Sequence, residues 1–295
     1  MLQPKGKLLS IGGNEDKGYG LEHIPAARIN VNYIELDILK RFIEEMKGTD
    51  SRIEIITTAS SIPEEVGASY LEAFARLNCK NVKLMHITNR EEAKDMAYLT
   101  RLEEADGVLF TGGNQLRLSM VFGGSDFIKL LQKRYEEDEF MIAGTSAGAM
   151  AMSNTMIIQG DAEGSLLKGG VKITTGLGFV KNVIIDTHFV ARGRFGRLAE
   201  AIAGNPGCIG VGLADDTALL ITEGNRMEAV GSGLVIIIDG HNIQHTNIAD
   251  INFGAPLSIE NLVIHVMAKG NGYDVADRKF YPASEVLLPR LQRIA

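Results

Sequence analysis

Five short apolar runs occupy the first half of the chain: "KLLSIGG" (7–13), "RIEIITTAS" (52–60), "NVKLMHI" (81–87), "GVLFTGG" (107–113) and "FMIAGTS" (140–146). Each is too short to stand as a helix, and most close on glycine or other small residues, the pattern of a strand buried on both faces. Helical spacing fills the gaps between them. Residues 28–47 place Val31, Ile34, Ile38, Leu39, Phe42, Ile43 and Met46 on one face, with Gly48 as the stop. Pro63 and Glu64 open a second helix carrying Tyr70, Phe74 and Leu77, and residues 91–104 give a third. Strand and helix alternating in this way predict a mainly parallel sheet covered by helices on both faces. Ligands of such sheets bind at the carboxyl ends of the strands, which puts "TGGNQ" and "GTSAG" on the functional rim.

The second half is less regular. "NVIIDTHF" (182–189) predicts a strand, "RFGRLAEAIAG" (194–204) a helix, and "CIGVGLADDTALLIT" (208–222) a glycine-interrupted strand pair. "MEAVGSGLVIIIDG" (227–240) has the pattern of a hairpin with a tight Gly-Ser-Gly turn, and Ile259 to Ala268 that of a covering helix. With no Pro- or Ser-rich linker and no internal repeat, residues 1–295 are expected to form one α/β domain. The net charge of −7 argues against a nucleic-acid-binding surface spread over the molecule, and no apolar run is long enough to span a bilayer. Cys79 and Cys208 cannot make a metal cluster alone, and the N-terminus lacks a secretory signal, so a cytoplasmic protein is expected.

Gly144-Thr145-Ser146-Ala147-Gly148 fits G-x-S-x-G, a serine on a sharp strand-to-helix turn. Glycines two residues to either side let the strained turn pass close to its neighbours, and Ala147 N–H is a natural oxyanion donor. A serine nucleophile needs a base. His86 falls in an expected strand, His265 on the expected late helix, and His241 and His245 near a turn; His23 lies early in the chain. His188 ends the strand "VIIDTH" at a sheet edge and is the leading candidate, with His241 as the alternative. Asp215 and Asp216 both qualify as the acid that orients the histidine, and spacing does not choose between them. Arg192, Arg194 and Arg197, close behind His188, form a cluster suited to gripping carboxylates.

These residues together resemble the cyanophycinase family, serine peptidases related to the aspartyl dipeptidase peptidase E. The likeness runs through "GKLLSIGGNEDK" (6–17), "FTGGNQLRL" (110–118), "GTSAGAMAMS" (144–153), "GLGF" (176–179), "DTHFVARGRFGRL" (186–198) and "GVGLADDTALL" (210–220) to the glycines near residue 231. It implies a three-layer sandwich with a mainly parallel central sheet, of the class I glutamine amidotransferase-like (flavodoxin-like) kind. It implies hydrolysis of cyanophycin, a polyaspartate with arginine on each side chain, to β-Asp-Arg dipeptides through an acyl-enzyme. No metal or cofactor, nucleic acid or membrane is expected to take part, and a cytoplasmic homodimer is expected.

By motif position the resemblance makes Ser146 the nucleophile, His188 the base and Asp215 the acid, with Gly113 and Ala147 as oxyanion donors. Gln115, Asp186, Thr187, Arg192, Arg194 and Arg197 fall on its substrate positions, with Asp186 able to meet a substrate guanidinium. Two departures stand out: Asp215 replaces the usual glutamate, and Thr187 the usual glutamine. Three rival readings remain: an aspartyl or isoaspartyl dipeptidase of the peptidase E type, a catalytically inactive binding homologue, and an α/β-hydrolase esterase pairing Asp215 with His241 or His245.

Overall fold

The computed structural model describes residues 3–20 and 33–285. The five expected runs form β1 (Lys7–Ile11), β2 (Ile53–Ile56), β3 (Val82–Met85), β4 (Gly107–Phe110) and β5 (Met141–Thr145). They pair in parallel in the order β3-β2-β4-β5-β1. The chain between them supplies α1 (Asp37–Glu44), α2 (Pro63–Arg76), α3 (Met96–Glu104), α4 (Gln115–Phe122) and α5 (Asp126–Glu137), and α6 (Ala147–Ala151) follows β5 directly. The part of the expected first helix before residue 33, Val31 included, lies outside the described residues, as does His23. Asp95, Asn114 and Ser125 cap α3, α4 and α5 by accepting from backbone N–H groups of the first turn.

The central strands are mostly apolar because both faces are covered, while β3 at the edge keeps Lys83 exposed. Leu8, Val108, Phe110 and Ile142 point into a core shared with α4, α5 and α6, and their neighbours Leu9, Leu109 and Ala143 into one shared with α1 and α2.

The rest of the chain forms β6 (Thr155–Gln159), β7 (Lys172–Thr175), β8 (Val183–Asp186), α7 (Phe195–Ala203), β9 (Ile209–Leu213), β10 (Thr217–Thr222), β11 (Arg226–Gly231) and β12 (Val235–Asp239). β13 (His245–Thr246), β14 (Ile259–Glu260), β15 (Val263–Met267), β16 (Gly272–Asp274) and β17 (Lys279–Tyr281) follow. Three expectations fail here. The large sheet has the order β17-β16-β11-β10-β1-β5-β4-β2-β3, so beyond β1 it continues in antiparallel strands and is mixed rather than mainly parallel.

Gly231-Ser232-Gly233 is not a hairpin turn. The turn lies at residues 223–225, and the two arms form one ribbon in which Thr217 opposes Gly231 and Leu213 opposes Val235. The ribbon bends at 214–216 and 232–234, so β10 and β11 join the large sheet while β9 and β12 join a second one, of order β15-β12-β9-β8. Gly231 permits the bend with a φ of 92°, where a side chain would strike the Asp216 carbonyl.

The covering helix is also absent. Val263–Met267 is strand β15, antiparallel to β12, with Ile264 and Val266 exposed and Met267 buried. Its β-branched residues and two-residue alternation favour a strand over a helix. His265 consequently sits on a strand beside the rings of Tyr273 and Phe280.

Candidate active site

β4, β5 and β1 are adjacent and parallel, so Gly112-Gly113, Ser146 and Gly12-Gly13 emerge together at one edge of the sheet. Ser146 stands between β5 and α6 with φ 51° and ψ −110°, a conformation that costs a non-glycine residue on the order of 1–3 kcal/mol. The small neighbours make this turn possible. A Cβ at residue 144 would lie 2.5 Å from the Gly148 carbonyl carbon, and one at residue 148 would lie 2.9 Å from that of Phe110. The glycines let the start of α6 press against β4 and β5.

His188 follows β8, in the second sheet, with φ 49° and only 8% exposure. Its Nε2 lies 3.0 Å from Ser146 Oγ, and its Nδ1 lies 2.6 Å from Asp215 Oδ1. A carboxylate only accepts, so Nδ1 carries the proton and Nε2 is left to accept from the serine. The aspartate therefore reaches the imidazole despite being one methylene shorter than glutamate. His241 pairs instead with Asp239, at 2.8 Å, and His86 Nδ1 lies 2.7 Å from Thr57 Oγ1. His245 is exposed on β13.

The device that unites these residues is the loop after β1. Its successive carbonyls, on Ile11, Gly12 and Gly13, accept from the backbone N–H groups of Ser146, His188 and Asp216, each at 2.9 Å. The next residue, Asn14, donates from its side chain to Asp215 Oδ2 at 3.1 Å. Both glycines are dictated by close approach. A Cβ at residue 12 would collide with the Ala214 carbonyl, and one at residue 13, where φ is 102°, would sit 2.6 Å from His188 Nε2. The paired glycine after β1 was the available signal for this hub, but sequence reasoning gave it no role at the site.

The two aspartates divide the work by geometry. Asp216 accepts from Ser232 Oγ at 2.6 Å and from the Asp16 N–H at 3.1 Å, which ties the ribbon's bend to the same loop. Burial pushes its carboxyl above the usual range, outweighing those two bonds. Beneath the elbow, buried Glu15 accepts from Thr145 Oγ1 at 2.7 Å and from the Tyr70 hydroxyl, with Lys17 Nζ at 3.8 Å. Burial alone would raise its pKa, but Lys17 and these hydroxyls hold it below the ordinary glutamate value of 4.5. The unfolded chain therefore takes up this proton first as pH falls, and Glu15 stabilises the fold above that value and progressively less below it. Glu15→Gln is expected to cost about 1–3 kcal/mol at pH 7, with the deficit narrowing in acid. Denaturant melts of both proteins across pH 3–7 would measure it.

Gly113, Gln115, Ser146, Ala147, Thr187 and the three arginines line one cleft of about 500 Å³. A larger hollow of about 630 Å³ lies at the opposite edge of the sheet, around Lys5, Lys7 and Glu228, and touches none of Ser146, His188 and Asp215. Gln115 donates from Nε2 to the Ile157 carbonyl at 2.9 Å, and the Thr187 hydroxyl is buried without a hydrogen-bond partner among the described residues.

Asp186 departs from expectation. It is fully buried, accepts from Arg197 Nε at 2.6 Å and from Arg197 Nη2, and receives Arg194 Nη1 at 3.3 Å. It thus stands behind the arginines and fixes them, which removes it from direct contact with a substrate guanidinium. Arg194 is depressed to about 10, because burial and the charges of Arg197 and Arg192 outweigh Asp186.

The model of peptidase family S51 matches residues 27–228, a span containing Ser146, His188 and Asp215. The chain belongs to peptidase family S51. It is 32% identical over 279 residues to the cyanophycinase of Trichormus variabilis, covering 95% of this chain and 89% of that one. With the cyanophycinase of Geminocystis herdmanii it shares 32% over 270 residues, 92% and 94% of the two chains. The crystal structure of a peptidase from an acI-B1 Actinobacterium superposes with a TM-score of 0.58 at 18% identity, over 93% of this chain and 98% of that one, a likeness of fold. As a member of the S51 family, the chain is a peptidase. Among the described residues no helix is long and apolar enough to cross a membrane.

Proposed function

We propose that the chain is a serine-type exopeptidase that cleaves cyanophycin to β-Asp-Arg dipeptides through an acyl-enzyme on Ser146. The reading is carried by the continuous contact from Ser146 Oγ through His188 to Asp215, at 3.0 and 2.6 Å. Neutral His188 takes the serine proton as the hydroxyl attacks the scissile carbonyl, while Asp215 orients the ring and stabilises its charged form. Backbone N–H groups of Gly113 and Ala147, both in the cleft wall, hold the oxyanion. His188 then passes its proton to the leaving amine and activates the water that releases the acyl group.

Three features favour an acidic, amide-rich substrate. Arg194 is held low first by burial and then by the charges of Arg197 and Arg192, and a bound carboxylate would supply it a counter-charge. Arg192 is exposed in the same cleft, and the Thr187 hydroxyl offers a buried donor. The similarity to cyanophycinases over more than nine-tenths of the chain agrees. The same reading takes residues 1–295 as one cytoplasmic domain, a three-layer sandwich of the class I glutamine amidotransferase-like kind, acting as a homodimer. Incubating the protein with cyanophycin is expected to release β-Asp-Arg, identified by mass. Turnover of Asp-X dipeptides without attack on the polymer would instead favour the peptidase E type of activity.

A further inference from the structure

We propose that Asp161 is a specificity-determining residue that receives a cationic group of the substrate beside the arginines. This rests on the reading of the cleft as the peptide-binding site. Asp161 is the sole acid among the described residues lining that cleft, and it is exposed there. Three guanidiniums line the same cleft, yet Asp161 makes no ion pair with the described residues. Its Oδ1 accepts from the Gly164 N–H at 2.7 Å, which fixes the side chain and leaves Oδ2 available. The cleft therefore presents both signs of charge side by side, without cancellation between this acid and its neighbours.

The loop bearing Asp161 is fastened to α7 at both ends. Arg197 Nη1 donates to the Gly160 carbonyl at 2.7 Å, immediately before Asp161. One helical turn on, buried Glu200 accepts from the N–H groups of Gly169 and Val171 at 3.0 and 3.2 Å. Arg197 is itself clamped by Asp186, so one chain of contacts sets the arginines and Asp161 relative to each other. A ligand carrying a carboxylate and a guanidinium a few bonds apart matches this pairing, with the carboxylate on the arginines and the guanidinium on Asp161. A purely acidic peptide would leave Asp161 facing its own charge.

The test uses Asp161→Asn, which keeps the oxygen that accepts from Gly164 and removes only the charge. Binding of β-Asp-Arg, and of its uncharged citrulline counterpart, is measured by calorimetry on the Ser146→Ala protein with and without the second substitution. An exposed charge pair is worth up to about fivefold in affinity. The arginine dipeptide is expected to bind about fivefold tighter than the citrulline one, and Asp161→Asn is expected to erase that preference while leaving citrulline binding unchanged. Equal binding of the two ligands, or equal change in both on substitution, would overturn the proposal, the latter meaning that Asp161 only moderates the arginines' field. Failure of the active protein to cleave cyanophycin would remove the proposed reaction, while the arginine preference stays measurable in this binding experiment.

Discussion

Replacing His188 with alanine is expected to lower kcat/KM by about 10⁴-fold or more, and Ser146→Ala by as much, with thermal melting close to that of the parent. The two losses should not multiply in the double variant. Each alone disables the proton transfer at the 3.0 Å contact between Ser146 Oγ and His188 Nε2, and what remains comes from binding and the backbone donors. Asp215→Ala should cost somewhat less, since the imidazole survives but loses the acceptor at 2.6 Å that fixes its tautomer. Near-normal turnover in His188→Ala would transfer the base to another residue and reopen the esterase order with His241 or His245. The exposed position of His245 and the Asp239 partner of His241 make them poor substitutes.

Gly13→Ala is the second large effect, and it reaches the chemistry through packing alone. The added methyl would lie 2.6 Å from His188 Nε2, so the ring or the loop must move by a substantial fraction of an ångström. An ångström of misplacement costs about a hundredfold in rate, so kcat/KM is expected to fall by roughly that factor or more. Stability should also drop by about 1–2 kcal/mol, because φ at this residue is 102°. Steady-state kinetics beside a denaturant melt separates the two. Full activity in a folded Gly13→Ala protein would mean that the imidazole occupies a different place during turnover.

The parallel half of the fold was legible from residue order because most of its strands are covered on both faces and read as short apolar runs, too short for helices. Ser146 was legible for a related reason, since few arrangements demand glycine at both 144 and 148 around a serine. The hairpin at 231–233 and the helix at 259–268 were misjudged. A Gly-Ser-Gly that bends a ribbon between two sheets has the same local chemistry as one that closes a turn, and only the pairing of β12 with β9 distinguishes them. Spacing left Asp215 and Asp216 open and motif position pointed to Asp215, whereas the retreat of Asp186 behind the arginines was invisible, as it depends on how Arg194 and Arg197 at the start of α7 fold back onto the end of β8.

The sequence by itself determined that strands would end in glycine-rich loops at a common rim and that one of those loops would carry a reactive hydroxyl, because local sterics and periodicity leave little choice. Spacing alone left His241 beside His188 and Asp216 beside Asp215, and only the tertiary structure shows the contacts by which His188 and Asp215 reach that hydroxyl. Their meeting depends on three consecutive carbonyls after β1 holding segments from two different sheets, and hydrogen bonds across such separations leave no periodic trace in the chain.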